Sequence, residues 1–365
     1  MLAWWVDEPG PMASAPLVWG QRPDPRPGPG ELLLKVRACG VCRTDLHLAE
    51  GDLEPRHRHV VPGHEVVGTV EECGSGCTLF SPGDRVGVPW LGNTCGVCRF
   101  CRRGEENLCL TPAFTGWDRD GGYAELVTVS EGFAYRIPES FSDEQAAPLL
   151  CSGIIGYRAL KLAALPDGGR LGIYGYGGSA HLAAQMARYR GASVYVMTRS
   201  REARSLARTL GAVFVGGPDD VPPEPLDSAI LFAPAGELVP AALRALDRGG
   251  TLAVAGIHLT DIPPLHYATE LFQERELRSV TANTRADGRE FLALAARMPL
   301  IPTTTAYPLS AAGEALADLA TDRITGAAVL IVNDDGGAPG PGTDHCSANS
   351  TCPTAHHALP REGLQ

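Results

Sequence analysis

Residues 152–282 alternate between short apolar runs and amphipathic stretches of ten or more residues. The segments are, in order, RLGIYGYGG, SAHLAAQMARYRGA, SVYVM, REARSLARTLGA, AVFVG, LDSAILFA, ELVPAALRALDRGG and TLAVAGI. The short runs have the length and β-branched content of buried strands, and the longer stretches have the apolar spacing of helices. Strands that alternate with helices of this length form a parallel sheet covered on both faces. The sequence therefore predicts an α/β domain with a doubly wound parallel sheet.

A glycine-rich turn, GYGGSA, joins the first strand of this series to its first helix. Gly175, Gly177 and Ala180 fill a G-x-G-x-x-A pattern, and Gly178 lies in the same turn. The first glycine permits a tight turn, the second lets a pyrophosphate approach the backbone, and the small third residue lets helix and strand pack closely. Such a pattern is weak alone, but here it follows a strand and opens a helix. We therefore predict a dinucleotide site on the helix N-terminus.

Four cysteines stand in one short segment, CGVCRFCRRGEENLC, with two, two and seven residues between them. Sulfurs at these gaps can close around one tetrahedral zinc ion, and the lobe spans about residues 92–110. Disulfides are the alternative, but zinc is favoured where thiols stay reduced. The predicted structural zinc ligands are Cys95, Cys98, Cys101 and Cys109.

A second set of metal-binding side chains is dispersed along the chain. Cys42 lies in CGVCRTDLH, His64 and Glu65 lie in PGHEVVG, and Cys151 lies in APLLCSG. Each residue alone is more often an ordinary packed side chain. Together, two sulfurs and one imidazole are the ligand set of a catalytic zinc that keeps its fourth position open. A closed and an open zinc site in one chain indicate an enzyme.

The rest of the chain sets the domain organisation. Its 365 residues suffice for about two domains. Residues 1–151 read as an irregular, mostly-β catalytic domain, because short β-rich runs alternate with Gly and Pro turns. We expect the parallel-sheet domain over 152–282, a return to the catalytic domain over 283–333, and a disordered Gly- and Pro-rich tail over 334–365.

Composition disfavours two classes of partner. The net charge of −11 and the pI near 5.4 argue against nucleic acid. Since no run of eighteen apolar residues occurs, we expect no membrane span. The opening MLAWWVDEPG has no basic region followed by an apolar one, so we expect a cytoplasmic protein.

These motifs together resemble the zinc-dependent alcohol dehydrogenases of the medium-chain dehydrogenase/reductase superfamily, over about residues 1–333. The matching segments are CGVCRTDLH, PGHEVVGTV, PGDRVGV, the four-cysteine lobe, DGGYAELV, APLLCSGIIGYRAL, GYGGSAH and GAAVLIV. A zinc held by two cysteines and one histidine is itself an alcohol dehydrogenase feature, so that part of the match is not independent support. The resemblance implies a Rossmann domain beside a GroES-like catalytic domain, two zinc ions, a nicotinamide cofactor and a small alcohol or aldehyde substrate. It also implies a homodimer or homotetramer.

The resemblance also implies roles for individual residues. The catalytic zinc ligands are Cys42, His64 and Cys151, with Glu65 as a carboxylate that can approach the metal. Thr44 takes the alcohol proton and His47 ends the relay to solvent; the alternative is a capped turn and a surface imidazole. Asp45 fixes the His64 tautomer, and Arg43 meets a cofactor phosphate. The expected walls of the substrate pocket are Trp90, Phe114 and Trp117.

Cofactor choice follows from the end of the second strand of the parallel sheet. NAD-binding folds place an acidic residue about twenty positions after the glycines. Here SVYVM ends in Thr198, Arg199 and Ser200, and no carboxylate occurs before Glu202. A guanidinium and two hydroxyls suit a 2′-phosphate, so we expect NADP(H) to be preferred, with NAD(H) possible.

Two positions depart from the family pattern. Many relatives have Thr at the position of Ile155 and Arg at the position of Ala327. Losing that Arg removes a phosphate contact, but neither change touches the zinc site or the relay. A polyol or formaldehyde-type dehydrogenase, or a catalytically silent relative, remains an alternative, because pocket shape decides between them.

Overall fold

The computed structural model describes residues 1–256 and 258–332. The predicted disordered tail over 334–365 lies outside the described residues. The strands are β1 Leu2–Val6, β2 Leu17–Gln21, β3 Glu31–Val41, β4 Val66–Cys73, β5 Arg85–Val88, β6 Leu91–Asn93, β7 Ala113–Phe114, β8 Leu126–Ser130, β9 Tyr135–Arg136, β10 Arg170–Tyr174, β11 Ser193–Met197, β12 Phe214–Gly216, β13 Leu226–Leu231, β14 Leu246–Val254, β15 Glu276–Ser279, β16 Thr304–Pro308 and β17 Ala327–Ile331.

Helices connect these strands, and α1, α4 and α5 follow directly after Cys42, Cys151 and the glycine turn. The α-helices are α1 Arg43–Glu50, α2 Arg99–Arg102, α3 Asp143–Ala146, α4 Ser152–Leu162, α5 Gly178–Tyr189, α6 Arg201–Thr209, α7 Val239–Ala245, α8 Arg285–Ala295 and α9 Ala312–Ala320. Short 3₁₀ turns occur at Met12–Ser14, Glu106–Leu108, Glu131–Phe133, Ala147–Leu150, Gly236–Leu238 and Leu309–Ala311, with a π turn at Tyr267–Leu271.

Within the described part of the chain, a six-stranded parallel sheet has the order β12-β11-β10-β13-β14-β15. Successive strands are added on one side of β10 up to β12 and on its other side from β13 onwards, as in the doubly wound dinucleotide-binding fold. Alternate residues of β10 face opposite cores: Leu171 and Ile173 pack towards α4 and α5, and Tyr174 packs with Ala242 and Leu243 of α7. Burial on both faces explains why these strands read as continuous apolar runs. The predicted doubly wound sheet is confirmed.

A second sheet, mostly antiparallel, has the order β16-β17-β3-β4-β5-β9, with β8 pairing β3. The long β3 organises it: β4 pairs one edge, and β8 and β17 share the other. The predicted mostly-β catalytic fold is also confirmed. Two small antiparallel pairs, β1–β2 and β6–β7, accompany it, and the first was not predicted. No helix in residues 1–256 or 258–332 is long and apolar enough to cross a bilayer.

Candidate active site

The dispersed set of metal-binding side chains comes together at three junctions between helices and strands. Cys42 follows β3 and precedes α1, His64 and Glu65 precede β4, and Cys151 precedes α4. One ligand atom from each of these four residues lies within 4.8 Å of the others. His64 and Glu65 are each 1% exposed, so both side chains have left water. Four donors from distant segments therefore form one buried group.

Asp45 holds this group together from one side. Its Oδ1 accepts the Gly63 N–H at 3.0 Å and lies 3.2 Å from His64 Nδ1. Its Oδ2 accepts the Cys42 N–H at 2.9 Å and the Tyr123 hydroxyl at 3.3 Å. A carboxylate that accepts the Nδ1 proton fixes the ring orientation and directs Nε2 towards the cluster. The same residue thus orients two of the candidate ligands.

His64 Nε2 is the observation that tests whether a metal fits here. Among the described residues, this atom is buried and has no hydrogen-bond partner. An orphaned buried nitrogen is costly unless something fills its lone pair. Burial favours the neutral ring, but Asp45 and the Cys42 sulfur outweigh it and raise the pKa of His64 well above its ordinary value. The surrounding anions thus favour a positive charge in their midst, and a divalent cation in place of the proton satisfies Nε2. The residues fit zinc.

The pKa values of Cys42 and Glu65, two of the three acidic donors in this group, shift in opposite directions. Hydrogen bonding by the Cys151 thiol lowers the pKa of Cys42 well below its ordinary value. Burial, and then the Cys42 charge, raise the pKa of Glu65 well above its own. Glu65 lies flat against β3: a Cβ on Gly40 would stand 1.8 Å from its Oε2. Glycine at position 40 therefore leaves the space that this carboxylate occupies.

The four-cysteine lobe forms a second compact group, with its sulfurs within 4.8 Å of one another. Sγ of Cys98 lies 3.6 Å from that of Cys101, and the same distance separates Cys109 from Cys95. Backbone N–H groups point at sulfur, as at Cys98 N to Cys95 Sγ, 3.4 Å. Such donors, first that of Cys101, lower the pKa of Cys98 to about 6. Backbone donors thus favour the thiolate, the form that binds zinc, at Cys95 and Cys98, whereas burial and the Cys98 sulfur raise the pKa of Cys101 to about 11.

Two contacts fasten this lobe to the chain beyond the parallel sheet. Asn107 donates through Nδ2 to the Thr281 carbonyl at 2.8 Å. Glu106 pairs with Arg285 at the start of α8. The lobe is therefore tied to a segment about 175 residues away, because these pairs are separated by 174 and 179 residues.

Thr44 and His47 lie one turn apart on α1, directly after Cys42. The Thr44 side chain is buried, and the Cys42 thiol lies 3.6 Å from its Oγ1. The His47 side chain is 18% exposed, and its Nδ1 lies 2.9 Å from Asp52 Oδ2. The ring of His258 lies 5.2 Å from that of His47. The helix thus leads from the buried group towards solvent, with Asp52 and His258 as neighbours that no sequence motif indicated.

Trp90, Phe114 and Trp117 form one stack beside the metal-binding group. Trp90 and Phe114 have ring centroids 4.8 Å apart, and Trp117 lies 5.9 Å from Trp90 at an interplanar angle of 10°. Trp90 also meets the His64 ring edge to face at 4.9 Å. The Trp117 indole N–H donates to the Glu54 carbonyl at 2.8 Å, which fixes its plane. The three rings therefore present a flat aromatic wall next to the candidate ligand.

The glycine turn forms the N-terminus of α5. Gly175 has φ +84°, and a Cβ there would stand 2.8 Å from the Ala233 nitrogen. Gly177 caps α5, and a Cβ on it would meet no atom within 4 Å. An open position at the start of a helix offers free N–H groups to an anion. Gly178 begins the helix beside Ser152, so the turn lies next to the segment that carries Cys151.

The three residues predicted to contact a phosphate at the end of β11 differ in exposure and in hydrogen bonding. Thr198 is 7% exposed, and its N–H donates to the Gly216 carbonyl at 3.0 Å. The Ser200 hydroxyl accepts the Ala203 N–H and donates to Glu202, so it is already engaged. Arg199 is 80% exposed, and its guanidinium pairs with Asp322.

Arg43, at the first position of α1, pairs with the same carboxylate. The two candidate phosphate-binding arginines therefore meet at Asp322, which the sequence did not single out. Of the two departures from the family pattern, Ile155 is in the first turn of α4, and Ala327 begins β17.

Two family descriptions match the chain. Residues 28–139 match the alcohol dehydrogenase GroES-like domain, and residues 178–297 match the zinc-binding dehydrogenase family. Among curated relatives, the probable alcohol dehydrogenase AdhA of Mycobacterium tuberculosis is 58% identical over 337 residues, which cover 91% of this chain and 97% of the relative. An alcohol dehydrogenase of Geobacillus stearothermophilus is 35% identical over 313 residues, covering 83% and 93%.

Solved structures agree with these matches. A cinnamyl alcohol dehydrogenase from Sorghum bicolor superposes with a TM-score of 0.82 at 28% identity, covering 91% of this chain and 98% of that one. An acetophenone reductase from Geotrichum candidum, in complex with NAD, superposes with a TM-score of 0.81 at 27% identity, covering 90% and 97%.

The chain belongs to the zinc-binding alcohol dehydrogenases of the medium-chain dehydrogenase/reductase superfamily. It is an oxidoreductase of the zinc type that interconverts an alcohol and its carbonyl compound with a nicotinamide cofactor. The resemblance identified from the sequence is confirmed.

Proposed function

We propose that the chain holds two zinc ions with separate roles. Cys42, His64 and Cys151 hold the catalytic ion, with Glu65 beside them, and the four lobe cysteines hold the structural one. The orphaned, buried Nε2 of His64 carries the first assignment, and the backbone N–H groups aimed at sulfur support the second. Two thiolates and a neutral imidazole balance the charge of one divalent ion and leave a position for substrate.

The residues around the catalytic ligands orient the substrate and move its proton. Zinc bound there supplies a Lewis acid that polarises an alcohol or aldehyde oxygen. Thr44 Oγ1 accepts the alcohol proton while its own hydroxyl proton moves on, since a hydroxyl can accept and donate at once. His47, one turn later, receives that proton and releases it to solvent. Asp52, 2.9 Å from His47 Nδ1, holds the ring in place.

The aromatic stack selects the substrate class. Trp90 lies against His64, so an alcohol held at the metal would touch the indole face. Nearly parallel rings from Trp90, Phe114 and Trp117 offer large apolar contact to flat or unbranched groups. We infer that the substrates are small to medium primary alcohols, unbranched or aromatic, and their aldehydes.

NADP(H) is the proposed preferred cofactor. The pyrophosphate lies at the N-terminus of α5, over Gly177, where a side chain is missing and N–H groups are free. The 2′-phosphate is bound by Arg199, which is exposed at the end of β11. Thr198 and Ser200 flank it, but the Ser200 hydroxyl must first leave Glu202. Arg43 contacts a phosphate from the side of α1.

Metal analysis with matched cysteine variants tests the two-zinc proposal. The wild-type protein should contain two zinc ions per chain. Cys98→Ser should lose the lobe zinc and lower the thermal midpoint, because a structural zinc contributes folding free energy. Cys42→Ser should abolish turnover and retain the lobe zinc. Cys73 lies outside both groups, so Cys73→Ser is the control. One zinc or none in metal-replete wild-type protein contradicts the proposal.

Steady-state kinetics with both nicotinamide cofactors test the NADP(H) assignment. Arg199→Asp should reverse the ratio of kcat/KM between NADP and NAD, because a carboxylate repels the 2′-phosphate and can bind the ribose hydroxyls. Arg201→Asp makes the same charge change two residues further on, at the exposed start of α6, and should leave the ratio nearly unchanged. Wild-type protein that works better with NAD contradicts the assignment.

The location, the assembly and the domain limits complete the proposal. A cytoplasmic location suits nine described cysteines that are all free, with two groups that bind metal only when reduced. A homodimer or homotetramer is the proposed assembly, by analogy with the family. The proposed domain limits are 1–151, 152–282 and 283–333.

A further inference from the structure

Asp322 pairs with two arginines that come from different parts of the fold. Its Oδ1 accepts a hydrogen bond from Arg43 at the start of α1, and its Oδ2 accepts one from Arg199 after β11. The two positions are separated from it by 279 and 123 residues. Each oxygen of one carboxylate thus serves one guanidinium, as two oxygens of a bound phosphate would.

The turn that carries Asp322 is built by its backbone. Asp322 follows α9 in the left-handed region, with φ 55°. Its N–H donates to the Leu319 carbonyl at 3.2 Å, and the next N–H, that of Arg323, donates to the Asp318 carbonyl at 2.9 Å. Asp and Asn adopt this conformation more readily than other side chains do. The helix end therefore fixes the backbone of Asp322 without help from the two arginines.

Arg43 and Arg199 are also the side chains that the proposed function assigns to the cofactor phosphates. A guanidinium that pairs with Asp322 has part of its donor set occupied before a phosphate arrives. Ala327, close to this turn in sequence, adds no positive charge. The charge that a phosphate meets here thus depends on the balance between these two arginines and Asp322.

We propose that Asp322 is an affinity- and specificity-determining residue: it is an internal anion that competes with the cofactor phosphates for Arg43 and Arg199. This inference rests on the proposed phosphate-binding roles of the two arginines. The carboxylate is 44% exposed, and its partners are 41% and 80% exposed. Pairs so open to water are weak, so the phosphates displace Asp322 at a modest cost in affinity.

The competition weakens NADP(H) more than NAD(H). A cofactor with a 2′-phosphate must free Arg199 as well as Arg43, whereas NAD(H) must free only Arg43. After displacement, the carboxylate still lies near the phosphates and repels them. The repulsion is stronger for NADP(H), because it carries more negative charge than NAD(H). Asp322 therefore narrows the preference for NADP(H) and speeds release of the reduced or oxidised cofactor.

Cofactor titrations of the zinc-loaded enzyme test this inference. The Kd for NADPH and for NADH is measured by nicotinamide fluorescence in wild-type, Asp322→Asn, Asp322→Gly and Glu314→Gln proteins at low salt. Asn and Gly both accept the left-handed turn, so either variant keeps the backbone. Glu314 is an exposed residue of α9, and its variant makes the same charge change on the helix that precedes Asp322.

Removing the carboxylate should lower the Kd for NADPH about threefold to tenfold, and that for NADH by less. Glu314→Gln should shift either Kd less than about twofold. An unchanged or raised Kd for both cofactors in the two Asp322 variants overturns the inference, because it makes Asp322 a neutral or organising residue. If the wild-type protein binds NADH more tightly than NADPH, only the NADP(H) assignment is overturned. In that case, tighter NADH binding by Asp322→Asn than by the wild-type protein still supports competition at Arg43.

Discussion

Replacing Asp45 by Asn tests whether one buried carboxylate holds the catalytic ligands in place. Asp45 is 1% exposed, and its two oxygens face four donors: Gly63 N–H and His64 Nδ1 at one oxygen, Cys42 N–H and the Tyr123 hydroxyl at the other. An amide has one acceptor oxygen, so in either orientation its NH₂ group faces a backbone N–H. At least one buried donor is then left unpaired.

The magnitude follows from those contacts. A hydrogen bond to a charged acceptor contributes about 1.5–3 kcal/mol, and an unpaired buried donor costs about 1–3 kcal/mol. We therefore expect Asp45→Asn to lower the free energy of unfolding by about 3 kcal/mol. The partner of a metal-binding imidazole typically supports affinity by about 10- to 100-fold, so zinc should leave the catalytic site faster by a similar factor.

Two measurements check this expectation. Urea unfolding gives the stability change, and transfer of zinc to a chromophoric chelator gives the dissociation rate. Asp84→Asn is the control, because Asp84 is half-exposed and accepts the Ser81 N–H at 3.0 Å beside a surface pair with Arg136. The control should leave both the free energy of unfolding and the rate of zinc release nearly unchanged. If Asp45→Asn behaves like the control in both assays, Asp45 does not position the ligands.

Three further outcomes are expected. His47→Gln should slow alcohol oxidation most at neutral pH and least at alkaline pH, where bulk base takes the proton, and a pH-independent loss in rate profiles would make His47 structural. Trp90→Ala should extend kcat/KM towards bulkier or secondary alcohols, and an unchanged substrate profile would place Trp90 outside the pocket. Burial lowers the pKa of His181 to about 4, against about 6.5 in the unfolded chain. Between these pH values only the unfolded chain binds the proton, so stability falls as pH falls through this window, by up to about 3 kcal/mol. His181→Gln should flatten this part of the unfolding free energy against pH; it also loses contacts to the Gly177 carbonyl and the Thr303 N–H, and an unaltered slope would refute the assignment.

The parallel sheet could be predicted because its signal is local. Strands β10, β11, β13 and β14 each place residues in the cores on both faces of the sheet, so apolar runs and helical spacing alternate within about a dozen residues. The pair β1–β2 was missed, because LAWWV and LVWGQ carry a mixed pattern and their partners are set by tertiary contacts. The helix α1 was also not predicted, although it carries Thr44 and His47, since it spans only Arg43–Glu50 and its N-cap is a cysteine.

The candidate site shows the same division. The lobe cysteines were recognisable because their spacing alone allows them to converge. Cys42, His64 and Cys151 could be grouped by ligand type, but their spacing could not show that they converge, because 87 residues separate His64 from Cys151. Asp322 could not be found from the sequence: its partners come from α1 and the end of β11, and an aspartate after a helix has no motif.

The pairing of β3 with β17 has a consequence for how the chain folds during synthesis. Residues Ala38–Val41 pair with Ala328–Ile331, so this end of one β3 edge stays unpaired until nearly all of the described chain has been made, whereas β8 pairs the other end earlier. The parallel sheet, whose strands lie between Arg170 and Ser279, is complete well before that. An unpaired strand edge is a template for association between chains. Nascent or truncated chains that stop before Ala327 therefore expose that edge directly beside Cys42. The mostly antiparallel sheet remains prone to aggregation until β17 has been synthesised and has paired with β3.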